Sequence, residues 1–301
     1  MKNRLLFLVT FIVVIFSGCN KSDLNPGGLT IAEDEVFALQ ADEVADQVIN
    51  PALFGGHLLV SDSKGPWDSG KFRFFPFKNF PDCAVITVGE TGFPKEIVID
   101  FNGECATLHG NSITGKITIT ISDSIIMEGA TVKVVYENVK FGARAIQREA
   151  LLTNEGQNEN GNWVISVTSR MSVTYRDGHV SVREFSGEKE WISGFLTPQI
   201  TDDKFYKTGA GTATVDDEIK FSRTITTPLY IDRACRFILS GVVEIVRNEE
   251  TMVIDYGTGE CDNIAIVTKD GVTEEIELGA CKFRDDTNKQ KRNFRNLKGW
   301  W

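Results

Sequence analysis

The sequence predicts a mainly β fold, an antiparallel meander forming a sandwich or a curled half-barrel, with one short N-terminal helix. Three observations lead there. In Gly115–Ile121, and in Trp163–Tyr175 with Ser169 alone interrupting the apolar face, apolar and polar residues alternate with a period of two, as strands with one buried and one wet face do. Asp177-Gly178 and Asp270-Gly271 are dipeptides that readily take positive φ, as tight hairpins require. No helical pattern lies between the alternating runs, which argues against parallel crossovers.

In chain order, residues 1–19 come first. Lys2 and Arg4 precede Leu5–Phe16, in which only Thr10 is polar. The run is shorter than the roughly 18 apolar residues that cross a bilayer, so it reads as a secretory signal. Its end, Ser17-Gly18-Cys19, resembles the lipobox of bacterial lipoproteins. The resemblance implies that Cys19 is acylated, with palmitate among its chains, becomes the first residue and ties the protein to a membrane outside the cytoplasm. Asn20 is not the acidic residue that retains some lipoproteins at the inner membrane, so the outer membrane is expected, on its periplasmic or cell-surface face.

The rest of the chain is long enough for a substantial core. Its 32 basic and 42 acidic residues give a net charge of -10, which speaks against nucleic acid as a partner. Residues 282–301 run the other way, with Lys282, Arg284, Lys289, Lys291, Arg292, Arg295 and Lys298 before Trp300-Trp301. They read as a basic tail.

Residues 20–29 contain Asn25-Pro26-Gly27-Gly28 and form a tether. Residues 30–82 hold two different pieces. Thr30 and Glu33 have the form of a capping box, and Val36, Phe37, Leu39, Val44, Val48 and Ile49 recur at helical spacing up to Asn50-Pro51, predicting one amphipathic helix. An aperiodic stretch follows that carries Trp67, Phe72, Phe74, Phe75, Phe77 and Phe80. These aromatics suit either a stacking platform for a flat ligand such as a sugar, or a plug at the open end of a sheet.

Residues 83–281 form the predicted β domain. Strands are expected over Gly115–Ile121, Thr131–Glu137, Trp163–Tyr175, Val180–Trp191, Ile219–Thr226, Cys235–Val246 and Val272–Leu278. A slip in the alternation between Val182 and Phe185 predicts a bulge. Asn158–Gly161 and Asn248-Glu249-Glu250 suit longer turns. An internal echo divides the domain into two related halves, 83–195 and 204–281. In the first, Cys83 is followed by Ile97-Val98-Ile99-Asp100-Phe101 and Cys105; in the second, Cys235 is followed by Met252-Val253-Ile254-Asp255-Tyr256 and Cys261. The matching order predicts disulfides Cys83–Cys105 and Cys235–Cys261, each adding about 3 kcal/mol by the chain-entropy estimate, and leaves Cys281 over.

The lipobox, the acidic helix, Phe93–Phe101, Gly115-Lys116-Ile117, Asp255-Tyr256-Gly257 and Cys261-Asp262-Asn263, taken in that order, resemble uncharacterised cell-envelope lipoproteins of the Bacteroidota. The resemblance covers most of Thr30–Gly279 and implies an envelope lipoprotein. It transfers no activity, and the basic tail departs from its pattern.

Catalytic signatures are thin. The histidines are His57, His109 and His179, and the sequence has no nucleophile elbow, zinc helix or phosphate-cradling loop. No cofactor, metal or catalytic residue is assigned. Cys105 with His109 is a weak thiol–base pair beside the disulfide reading. The repeated acids Asp100 and Glu104, and Asp255, Glu260 and Asp262, suit calcium or a glycoside-hydrolysing pair, but a structural role at a sheet edge is the simpler reading. The expectation is therefore a lipid-anchored, non-enzymatic envelope module that binds a glycan or an envelope protein. A glycan-active enzyme and a lipid-carrying half-barrel are the alternatives.

Overall fold

The computed structural model describes residues 83–89, 92–106, 112–175, 178–197, 199–217, 219–235 and 237–278. Cys19, the predicted helix, Trp67, Phe72, Phe74, Phe75, Phe77, Phe80, Asp177, Cys281 and the basic tail lie outside the described residues.

The strands are β1 (Ala84–Val88), β2 (Lys95–Ala106), β3 (Ser112–Ile121), β4 (Thr131–Phe141), β5 (Arg144–Gln157), β6 (Trp163–Thr174) and β7 (Val180–Ser193). After a 3-10 turn at Ile200–Asp202 come β8 (Lys204–Val215), β9 (Ile219–Asp232), β10 (Ser240–Arg247), β11 (Glu250–Thr258), β12 (Ile264–Lys269) and β13 (Val272–Glu277). Each strand pairs antiparallel with its sequence neighbours, in the order β1 to β13 within one sheet. The expected meander is present, but all thirteen strands form one unclosed sheet and not the two sheets of a sandwich.

One face of this sheet is buried. Ile97, Ile99, Ile119, Val132 and Val134 on β2 to β4 have no exposed surface, and neither do Val243 and Ile254 on β10 and β11. The buried side chains fall into two clusters. One runs from Ala84 to Phe205, and the other from Ala213 to Leu278 with Phe185 packed against it. The outer face is a polar lattice of cross-strand pairs such as Lys133 with Glu149 at 2.7 Å and Arg170 with Glu184.

The matching residues of the two sequence copies are buried alike. Ile97, Ile99 and Phe101 point into the buried face of β2, and Met252, Ile254 and Tyr256 do the same on β11. The structure joins Cys83 to Cys105 beside the β1–β2 pair and Cys235 to Cys261 beside the β10–β11 pair. These bonds lie nine strands apart along the sheet.

Two local expectations are corrected. No bulge occurs between Val182 and Phe185: β6 and β7 run in unbroken register from Trp163↔Trp191 to Thr174↔Val180. Ser181 and Arg183 face inward there, so the apparent slip came from Val180 and Val182 facing out. Asn248-Glu249 is not a long turn. Both residues take positive φ, 49° and 70°, and close a two-residue hairpin between Arg247 and Glu250. Asp270-Gly271 forms the tight turn expected of it, with φ of 51° and 77°.

Candidate interaction surface

In an antiparallel meander, the connections after odd-numbered strands share one end of the sheet and those after even-numbered strands share the other. The even end is made of tight hairpins such as Gly142-Ala143, Asn248-Glu249 and Asp270-Gly271. The odd end carries the longer connections, including 122–130, 158–162 and 194–203. Five of the eight exposed large apolar side chains among the described residues lie at that end. They are Ile126, Met127, Ile192, Leu196 and Tyr206, and Met127 and Leu196 are each more than half exposed. Loops on a rigid scaffold are the usual place for recognition.

These loops are held from their neighbours by buried or half-buried polar groups. Asn154 on β5 has no exposed surface. Its Nδ2 donates to Ile125 O at 2.6 Å, and its Oδ1 accepts from Gly156 N at 2.8 Å. Its backbone exchanges bonds with Ala130 and Gly129, so one residue fixes the 122–130 loop and the strand beside it at four points. Two strands on, Glu190 Oε1 accepts from Asn158 Nδ2 and Asn162 Nδ2, each at 2.8 Å, tying the 158–162 loop to β7. The Asn162 and Asn158 amides stabilise the charged carboxylate and hold its pKa below the ordinary glutamate value. Within 194–203, the Thr197 hydroxyl donates to Asp202 Oδ1 at 2.7 Å.

Beneath the 194–203 loop an aromatic cluster continues inward. Trp163 stacks on Phe195 with ring centres 5.0 Å apart, Trp191 meets Phe195 edge-on at 5.6 Å, and Trp191 lies 4.7 Å from Phe205. Nothing in the sequence marks these four residues as a group. The signal that could have found them is cross-strand pairing, because Trp163 stands opposite Trp191 across β6 and β7, and Trp191 opposite Phe205 across β7 and β8.

The buried face of β5 to β9 has a different chemistry. Arg148, Arg183, Lys189, Lys207 and Arg223 all point inward, each no more than 8% exposed. Rings lie beside them. Lys207 stands 4.9 Å and Arg223 5.5 Å from the Phe185 ring centre, Lys189 is 5.5 Å from that of Phe205, and Arg183 is 5.7 Å from that of Phe221. Gly187, Gly209 and Gly211 fill the inward positions between them, so this strip separates the two apolar clusters.

Asp100 and Asp255, singled out in the sequence, are not brought together, and the side chain of Glu104 lies outside the described residues. Asp100 on β2 lies across from Val85 and Lys116, whereas Asp255 sits nine strands away on β11. Asp255 Oδ1 accepts from Gly257 N at 2.9 Å, and Asp262 Oδ1 from Ile264 N at 3.0 Å, which are bonds that shape local turns. Among the described residues, no three His, Cys, Asp or Glu side chains converge to hold a metal ion. Cys105 is in a disulfide and so supplies no thiol for His109, which lies outside the described residues. His179 Nδ1 meets Asp216 Oδ2 at the exposed hairpin end, and Asp216 Oδ1 also accepts from Val180 N at 2.8 Å. The Val180 amide, with His179, holds the Asp216 carboxyl below its usual pKa. This is a bridge between two turns.

Together these features define an open, single-sheet antiparallel β protein with two disulfides, a braced loop end and a cationic strip on its buried face. No family model matches the chain, and neither the curated proteins nor the solved structures contain a match to it.

Proposed function

We propose that the protein is a lipid-anchored, non-enzymatic module of the cell envelope that binds an envelope protein through its long-loop end. The observation that carries this reading is the gathering of Ile126, Met127, Leu196 and Tyr206 at one end of the sheet, on loops braced by Asn154 and Glu190. Loops on a rigid scaffold are the usual place for recognition, and Met and Tyr are enriched in protein interfaces. Bracing lowers the ordering cost of association. Acylation of Cys19 would supply the anchor and an outer-membrane location. The disulfides accord with an oxidising compartment. We further infer that the sheet curls into a half-barrel, because strand twist of about 20–25° per step accumulates over thirteen strands and the side chains of one face are buried.

The test is photo-crosslinking in the producing cell, with a crosslinkable residue at Met127 or Leu196 and, as control, at Asn248 on the hairpin end. The expected result is one discrete protein adduct from the loop-end positions only, lost when the other loop-end residue is changed to Lys. Equal adducts from both ends, or glycan binding with no protein adduct, would overturn it. Labelling with a palmitate analogue, lost in Cys19→Ser, tests the anchor separately.

A further inference from the structure

The last strand of the sheet has an acidic open edge. Every strand from β1 to β13 pairs with its sequence neighbours, which leaves β13 with β12 on one side and, among the described residues, nothing on the other. Leu278 N donates to Asn263 O on the β12 side. Bonding directions alternate along an antiparallel strand, so the even-numbered residues of β13 turn their N–H and C=O groups to β12. Those of Thr273, Glu275 and Glu277 face the open side. Val272–Glu277 carries Glu274, Glu275 and Glu277 with no Lys or Arg. Among the described residues, no ion pair is made by these three carboxylates.

The same edge has an apolar point. Ile276 stands opposite Ala265 on β12 and lies half-buried against the second apolar cluster, while Glu275 and Glu277 are exposed on the outer face. The complement of this edge is a strand with an apolar residue between two cations. Beyond Leu278 the chain continues as Gly279-Ala280-Cys281-Lys282-Phe283-Arg284-Asp285-Asp286. Lys282-Phe283-Arg284 has that pattern. Leu278–Cys281 separates it from Glu277, and four residues is a common length for a hairpin loop.

We propose that Lys282–Arg284 folds back as a fourteenth strand on the open side of β13, with Glu277 opposite Lys282, Ile276 opposite Phe283 and Glu275 opposite Arg284. In this register the outward-facing backbone groups of Glu277 and Glu275 bond to those of Lys282 and Arg284. Both opposite-charge pairs lie on the outer face, where such cross-strand pairs stabilise a sheet. Phe283 meets Ile276 at a non-hydrogen-bonded position, where side chains approach most closely. A shift by one residue would put Phe283 on the polar face and a cation against Ile276. Pairing ends at Asp285, which would stand opposite Glu274 as a like charge. The outcome is a short, charged edge strand, a form by which sheets resist pairing with foreign chains. Charge complementarity and the point at which the chain leaves β13 select the same occupant, and the direct link holds it at high effective concentration. The rival use of the basic residues and Trp300-Trp301, contact with an anionic membrane, would leave this edge bare. The fourteenth strand is independent of what the long-loop end binds.

The test is residue-resolved hydrogen exchange on the full mature chain carrying Cys19→Ser. The Glu275 and Glu277 amides are expected to exchange at least about tenfold more slowly than that of Thr273, which faces the same side beyond the paired stretch. Lys282→Glu/Arg284→Glu is expected to remove the difference, and adding Glu275→Lys/Glu277→Lys to the same chain is expected to restore it. Equal exchange of all three amides in the unaltered chain would overturn the proposal. So would protection that survives deletion of residues 282–301, or protection that fades on dilution, which would assign the edge to a second copy. Vesicles of anionic phospholipid are expected to leave the protection unchanged; a chain that binds them while Glu275 and Glu277 exchange as Thr273 does would assign the tail to the membrane instead.

Discussion

Phe185 and Gly209 share a space that admits no Cβ. A methyl group on Gly209 would stand 2.7 Å from the Phe185 ring and 2.5 Å from Ser186 O, on a backbone with φ of +138°. Gly187, directly opposite, is more crowded still, its would-be Cβ falling on Thr208 O. The ring therefore lies on bare backbone at the junction of the two apolar clusters. Gly209→Ala is expected to destabilise the protein by about 3 kcal/mol, from overpacking together with backbone strain. Trimming the ring in Phe185→Leu/Gly209→Ala is expected not to restore stability, because the Ser186 carbonyl remains. Urea denaturation checks both.

Asn154 holds the loop end from inside a buried site. Asn154→Ala removes a donor from Ile125 O and an acceptor from Gly156 N inside a buried site. The expected cost is about 2–3 kcal/mol, the desolvation of stranded polar groups. Hydrogen exchange is expected to rise first in residues 122–130, ahead of β10 to β13.

Glu190 makes the same end sensitive to acid. Its pKa is depressed in the folded state by Asn162 and Asn158, so its stabilisation is complete above the ordinary glutamate value of about 4.3. That contribution is lost as pH falls through the lower folded value. Exchange in residues 158–162 is expected to quicken below that point, and Glu190→Gln is expected to remove the pH dependence while leaving the loop faster at neutral pH.

The disulfides act at separate places. Cys83→Ala/Cys105→Ala and Cys235→Ala/Cys261→Ala are each expected to cost about 3 kcal/mol by the loop-entropy estimate. Because the bonds lie nine strands apart, the losses are expected to add. Denaturant titration of the two pairs and of their combination tests this.

How far the fold was legible depends on what each strand places inward. β3, β4 and β6 put aliphatic residues there, and their alternation marks them directly. β5 and β8 were not anticipated, since their inward positions include Arg148, Asn154, Lys207, Gly209 and Gly211. A cation or a glycine on the buried face erases the apolar signal from which a strand is read. The same cause produced the false bulge on β7, where Arg183 occupies a core position. The asparagine and glutamate braces were illegible for another reason: Asn154 and Glu190 act across strands on loops remote in sequence. The sequence marks those loops only as polar.

The strictly neighbour-to-neighbour pairing has a consequence for how the chain matures. Cys83 and Cys105 are separated by 22 residues and Cys235 and Cys261 by 26, and each pair closes around strands adjacent in the chain. A chain emerging N-terminus first presents each later cysteine when its native partner is the nearest unpaired thiol in the β domain. Oxidation in order of appearance therefore gives the native connectivity, without a wait for the C-terminus and without reshuffling.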